Sequence, residues 1–409
     1  MQNPFVKVLS NRSFLFLIIS EFFSQFAMNL LNFILLIVVF SISKSNLAVA
    51  GVVLSFTIPS ILFGILAGVY VDRWNKRNVL VYTNLLRAIA VFPLIFVSKE
   101  LALVYFLSFI VSFITQFFIP AETPIIPHLV KKNLLLSANA LFRIGIFGSI
   151  IVAYALSGPL LLVLGTVKVF VLITVLYAFS AVFAALIRLH HVKEGVEQKI
   201  NLLEELRDAF SLMAKKEKVY HSLFLLTLLQ TLILVIAVIG PGYASNVLHI
   251  QVERFPILFV TPAVIGMAIG AVIIGNFLQK KSKQALAKMG LLVFGVIMLI
   301  FPYGAFIVSQ EFVGKLNSLL PSTMIINSVH LMLIMALVIG FAFSLIFVPS
   351  TTILQEETTD RQRGKIYGSL NTLIGAVSII PVLGAGVLAD LIGVEKVISG
   401  IGISVICLA

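Results

Sequence analysis

The chain has 409 residues, 60% of them hydrophobic and only 11% charged, with a formal net charge of +12. A mean hydropathy of +1.12 excludes an ordinary water-soluble domain, in which roughly a quarter of the residues are charged. The single cysteine, Cys407, excludes an internal disulfide, and no Cys/His spacing suits a metal, so redox and metal chemistry are not expected. The positive charge follows loop topology and calls for no nucleic-acid partner.

A helix that crosses a bilayer takes about 20 apolar residues. Apolar segments bounded by charges or turn signals predict spans at 13–41, 47–71, 79–97, 101–119, 137–164 and 167–189. A second set follows at 219–248, 255–278, 286–309, 325–349, 365–389 and 394–409. The opening run has a basic start but no small-residue cleavage site, so it reads as a retained first span and not as a signal peptide. The last segment is short: either the chain continues past Ala409 or the twelfth helix is brief. The reading is an all-α membrane protein of an N-terminal six-helix bundle (1–190), a linker (191–218) and a C-terminal six-helix bundle (219–409). In the linker, Ile200, Leu203, Leu206, Phe210 and Met213 recur at helical spacing among charges and predict an amphipathic helix on the cytoplasmic surface.

Lysine and arginine set the orientation. With the N-terminus inside, most of them fall in cytoplasmic segments, whereas the other side holds only Lys44, Lys99, Lys168, Arg254, Lys315 and Lys396. Two more, Arg87 and Arg143, lie within spans. The expectation is a multi-pass protein of a bacterial inner membrane with both termini cytoplasmic. The halves also match each other: Phe118–Thr123 aligns with Phe347–Thr352, and Gly68–Arg77 with Gly275–Gln284, each at the equivalent place in its half. Parallel duplication of this kind suits two bundles that rock about a central site.

Helix one carries the sharpest internal feature. Glu21, Gln25, Asn29 and Asn32 fall within an arc of about 80° on a helical wheel. A carboxylate in hydrocarbon costs several kcal/mol, so this stripe is expected to face the interior of a bundle. Glu21 reads as the one acid well inside a span of the first half. It is a candidate for proton coupling, or else a structural partner of Arg143 or Arg87. Glycines such as Gly64, Gly266 and Gly386 permit close helix approach, and Pro241, Pro262, Pro302 and Pro381 can kink spans.

The segment GVYVDRWNKR, from Gly68 to Arg77, resembles the G-x-x-x-D-R-x-G-R-R loop motif of the major facilitator superfamily. Asn75 stands at the usual glycine position, which such a turn tolerates because asparagine enters the left-handed region more readily than most residues. FFIPAETPIIPHLVKKNLLLSANALFRIG and VPSTTILQEETTDRQRGKIYGSLNTL are similar to paired segments of the macrolide-efflux and enterobactin-exporter branch. Gly158-Pro159 is similar to the helix-five pair of drug:proton antiporters.

The resemblance implies the major facilitator fold: two six-helix bundles related by pseudo-two-fold symmetry, about twelve transmembrane helices in all. It implies a conformational latch in which Asp72, with Gly68, Arg73, Lys76 and Arg77 in its loop, meets Arg361 and Arg363. It also places Gln116, Gln230 and Asn327 on a central cavity beside Gln25, Asn29 and Asn32, and makes His330 and Arg143 further proton-coupling candidates. The related branch often has a Gly-Asp pair on helix one where this chain has Ala27-Met28.

The function expected is secondary active export of a small lipophilic or drug-like molecule with proton antiport. A lysolipid or lipid flippase and a siderophore exporter stand as alternatives, and a membrane receptor or scaffold as the non-transport one. An enzyme is disfavoured, since G-x-S-x-G, H-E-x-x-H and G-x-x-x-x-G-K-[ST] are missing from the sequence. No cofactor is expected. The partners expected are a small-molecule substrate, protons and membrane lipids, with the chain acting as a monomer.

Overall fold

The computed structural model describes residues 4–188, 217–278, 280–304, 309–319, 327–358 and 360–409; the side chains at 4, 65, 72, 310, 316, 319 and 360–373 lie outside this description. Among the described residues all regular structure is helical, with no strand. A bilayer offers no water to exposed backbone amides and carbonyls, so a spanning segment must satisfy them internally, as a helix does.

In the first half, α1 is Arg12–Ser43, α2 Asn46–Arg73, α3 Lys76–Val91 and α4 Leu101–Glu122. An uninterrupted run, Leu135–Ala185, then covers 51 residues, about 76 Å at the usual rise and more than twice the hydrocarbon thickness. It breaks at Gly165, whose φ of 73° and ψ of 168° suit glycine alone. The run is therefore two spans, α5 over 135–164 and α6 over 166–185. The second half holds α7 (Glu217–Gly242), α8 (Thr261–Phe277), α9 (Lys283–Ile300), α10 (Ser328–Glu356), α11 (Asp360–Ile392) and α12 (Val394–Cys407). Among the described residues 10 stretches are long and apolar enough to cross a membrane, with the run through Gly165 counted as one. The shortest of the twelve helices is α12, at 14 residues.

Helix ends depart from the expected ones where proline reads as a stop. α4 runs through Pro120 to Glu122, and α10 runs through Pro349 to Glu356. Membrane helices tolerate such prolines because neighbouring groups re-satisfy the freed carbonyl. The two prolines stand at the matched positions of the internal repeat, so both halves keep the same fourth-helix feature. The surface helix expected from Ile200 to Met213 lies outside the described residues.

The chain divides into two compact units: Met1–Val38 with Leu54–Leu202, and Val39–Val53 with Leu203–Ala409. The tip joining α1 to α2 thus belongs to the second unit and not to the six-helix half that its sequence position suggests. In the first unit the apolar core gathers at one end of the spans, where Phe14, Leu17, Val71, Leu80, Phe118 and Ile126 are buried together. In the second unit α8 and α10 approach closely: a Cβ at Gly266 would strike the Leu337 carbonyl, and one at Gly340 the Ala263 carbonyl. Small residues permit this contact, and van der Waals packing then holds the helices without a hydrophobic driving force. Gly340→Ala is expected to lower stability in detergent by about 1–3 kcal/mol through overpacking. Gly384, where a Cβ would meet nothing within 4 Å, is the control, and equal melting temperatures for Gly340→Ala and Gly384→Ala would contradict the packing argument.

Candidate functional site

The polar stripe of α1 lies inside the first unit. Glu21 is 2% exposed, and Gln25 and Asn29 are also buried, while Asn32 is half-buried. Gln25 Nε2 donates to Glu21 Oε1 at 2.8 Å and to Glu122 Oε2 at 3.3 Å. One amide from α1 therefore bridges an acid on its own helix and an acid at the end of α4. The two carboxyls are thus held beside one shared amide donor. Glu122 is only partly buried, so it is the member of the pair nearer to water.

The countercharge is Arg87 on α3, fully buried. Its Nη2 donates to Ser24 Oγ and Asn84 Oδ1, both at 2.9 Å, and Nε donates to the Thr83 carbonyl at 3.4 Å. Ser24 Oγ donates in turn to Asn84 Oδ1 at 2.9 Å. The guanidinium carbon lies 4.1 Å from the centroid of Phe118 and 4.8 Å from that of Tyr177. Two aromatic faces and three oxygen acceptors replace water around this cation. Arg87 makes no direct ion pair with the acids. It acts on Glu21 and Glu122 electrostatically from a helix packed against them.

Of the two basic partners considered for Glu21, Arg87 is the one present in its surroundings, and Arg143 is exposed on α5. Glu122 and the Ser24–Asn84–Tyr177 shell do not emerge from sequence reasoning. Glu122 is hidden because the span is expected to end at 119, before Pro120; the structure corrects this, and Glu21 is not the one acid within a span of this half. The repeat offers a signal of another kind: the position matching Glu122 is Thr351, whose Oγ1 bonds the Phe347 and Val348 carbonyls of its own helix. The acid pair therefore exists in one half only.

The other expected residues are placed as follows. Asn29 Nδ2 donates to the Gln25 carbonyl at 2.8 Å, and the Tyr154 hydroxyl donates to Asn29 Oδ1 at 3.4 Å. Gln116 is buried on α4, donating to the Ser112 carbonyl at 3.1 Å, and faces Gly64 of α2. Gln230 is half-buried on α7. Asn327 and His330 are exposed and form a capping box at the start of α10: Asn327 Oδ1 accepts from the His330 amide at 3.0 Å, and the Asn327 amide donates to His330 Nδ1 at 3.2 Å. Their polar groups are thus occupied in ending a helix. Gly158 is buried and Pro159 half-buried inside α5.

In the loop after α2, the side chains of Asp72, Arg361 and Arg363 lie outside the described residues. Gly68 is helical with open space at its Cβ position, and Arg73 is exposed. Lys76 Nζ donates to the Val71 carbonyl at 2.6 Å and the Trp74 carbonyl at 3.3 Å, and Arg77 Nη2 donates to the Ala185 carbonyl. Both cations thus cap helix C-termini. Asn75 has an extended backbone, with φ −65° and ψ 112°, and its side chain accepts from the Asn78 amide at 3.2 Å as the N-cap of α3. Capping, not turn geometry, explains asparagine at the usual glycine position.

Bilayer-length helices that hold a largely buried charged network make this a multi-pass membrane protein. The chain belongs to the major facilitator superfamily, whose family description, Major Facilitator Superfamily, matches residues 17–382. A curated relative, the uncharacterized MFS-type transporter YfiS of Bacillus subtilis (strain 168), is 23% identical over 363 residues, covering 88% of this chain and 83% of that protein. Among solved structures, the nucleoside transporter NupG superposes with a TM-score of 0.75 at 16% identity, covering 97% of each chain. A bacterial homologue of the human lysosomal transporter Spinster gives 0.71 at 13% identity, covering 100% of this chain and 96% of that one. The POT family transporter PepTSo gives 0.70 at 14% identity, covering 97% of each.

Proposed function

We propose that this transporter is a proton-coupled exporter of a small lipophilic molecule, with the Glu21–Glu122 pair as its proton site. The observation that carries the coupling is the shared placement of two carboxyls on one bridging amide, Gln25. A proton taken up at Glu122, the member nearer to water, passes to Glu21, which the shared Gln25 amide holds beside it. Gln25 holds both groups in register. Arg87 balances the charge of the site when the pair carries a single proton, and leaves it net positive when both carboxyls are protonated. Alternating access then couples each change of charge to a change of the face that is open.

The lipophilic substrate and the outward direction rest on the likeness to the macrolide-efflux branch, with lysolipids and siderophores as the other substrates to be tried. Reconstitution in liposomes that enclose a pH-sensitive dye tests the reading, with a macrolide, a siderophore and a lysolipid supplied in turn. One of these is expected to drive proton movement opposite to its own. Movement of a substrate with no accompanying proton flux would exclude antiport for that substrate.

A further inference from the structure

At the far end of α2 from the Asp72–Arg77 loop there is a charged joint. Asp390, near the end of α11 by the bounds Asp360–Ile392, receives four hydrogen bonds from the start of α2. The Asn46 amide and Asn46 Nδ2 donate to Oδ1 at 2.8 and 2.9 Å, and the Leu47 amide and Ser45 Oγ donate to Oδ2 at 3.0 and 2.6 Å. A carboxylate over the first amides of a helix meets both unsatisfied donors and the positive end of the helix dipole.

The surroundings are shaped to this joint. The Asn46 side chain packs against Gly242 of α7, leaving no room there for a Cβ. A Cβ at Gly386, one turn before Asp390 on α11, would come within 3.0 Å of Leu47 Cα and 3.1 Å of the Asn46 carbonyl oxygen. These contacts all lie within the second unit, to which the tip Val39–Val53 belongs, whereas the rest of α1 and α2 belongs to the first. The tip must therefore leave the second unit before α1 and α2 can move as whole helices with the first. One feature favours release: Asn46 Oδ1 is buried with no hydrogen-bond partner, a standing cost that dissociation removes.

We propose that Asp390 is the lock of the face opposite the Asp72 loop, and that its detachment from Ser45–Leu47 is the step that opens that face. The inference deepens the alternating-access reading above and rests on it. α2 is 28 residues long, about 42 Å, with Asn46, held by Asp390, at one end and the Asp72–Arg77 loop at the other. α11 carries Asp390 near its end and Arg361 and Arg363 at its start. Engaging and releasing this joint gives the two discrete arrangements that a carrier requires.

The test needs neither substrate nor proton gradient, so its failure is separable from failure of the antiport reading. In a Cys407→Ser background, Val49→Cys reports on the tip and Val169→Cys on α6, since both valines are fully buried. Intact cells are treated with a membrane-impermeant maleimide. Asp390→Ala is expected to raise the labelling rate of Val49→Cys by about tenfold or more and to leave Val169→Cys unchanged, with Asp390→Glu restoring part of the protection. A Val49→Cys rate within about twofold of the parent would overturn the proposal. So would a matching rise at Val169→Cys, which would make Asp390 a support of the whole fold.

Discussion

Replacing Arg87 with methionine is expected to destabilise the protein by about 3–5 kcal/mol, the loss usual when one partner of a buried charged network is removed. Methionine fills most of the volume between Phe118 and Tyr177, so the loss comes from charge and hydrogen bonds more than from a cavity. Ser24 Oγ and Asn84 Oδ1 lose their shared donor, and Glu21 and Glu122 lose the cation that offsets them. Thermal unfolding in detergent, followed by the loss of helical circular dichroism, measures the effect. A second variant separates the two contributions: in Arg87→Met with Glu21→Gln one of the two uncompensated acids is gone, so the double variant is expected to be more stable than Arg87→Met alone. Such non-additivity marks residues that share one network. A double variant that melts at or below the temperature of Arg87→Met would show that Arg87 serves packing and not charge balance.

Much of the fold is legible in the sequence because one force dominates it. Leaving water costs so much for charged groups that the loops at Asp72–Arg77 and Lys131–Lys132 mark helix ends by themselves, and the apolar runs between them have no alternative to a helix. The polar stripe on α1 is legible for the same reason, since four polar residues on one face of a 32-residue apolar helix must turn inward. The partner surface is not legible. Arg87 is one of two intramembrane arginines, and nothing local distinguishes it from Arg143; the choice depends on α3 packing beside α1 while Arg143 faces outward on α5. Glu122 is masked by Pro120, because proline stops helices in water but not reliably in a bilayer. Asn327 and His330 read as span residues because the segment before α10 is apolar, although their spacing of three is that of a capping box. Asn75 likewise has a local role, as an N-cap, that its loop motif conceals.

The asymmetry of the duplicated halves bears on coupling. Thr351 stands where the repeat would put a second Glu122, and its hydroxyl is turned back onto its own helix. One half thus holds a titratable pair, and the matching position of the other carries no charge. On the proposed reading, a carrier with one proton site would exchange a small, fixed number of protons per cycle, which sets how steep a gradient it can build.

That stoichiometry makes the second large effect calculable. For one proton exchanged per substrate, a gradient of one pH unit supplies about 1.4 kcal/mol, enough for an approximately tenfold accumulation of substrate. Glu122→Gln keeps the shape and the hydrogen-bonding capacity of the side chain but cannot take up a proton, and Glu21→Gln does the same on the buried side. Each is expected to bring the accumulation ratio in proteoliposomes from about ten to about one, while the exchange of labelled for unlabelled substrate at equal pH persists, because exchange needs the carrier to cycle but not to discharge a proton. The two variants are expected to act alike, because the pair titrates as a unit and removing either carboxyl breaks the relay between water and Glu21. If Glu122→Gln accumulates substrate as the parent does and Glu21→Gln does not, the proton resides on Glu21 alone and Glu122 only shapes its surroundings. If both accumulate normally, the pair is a structural element of the first unit and the coupling lies elsewhere.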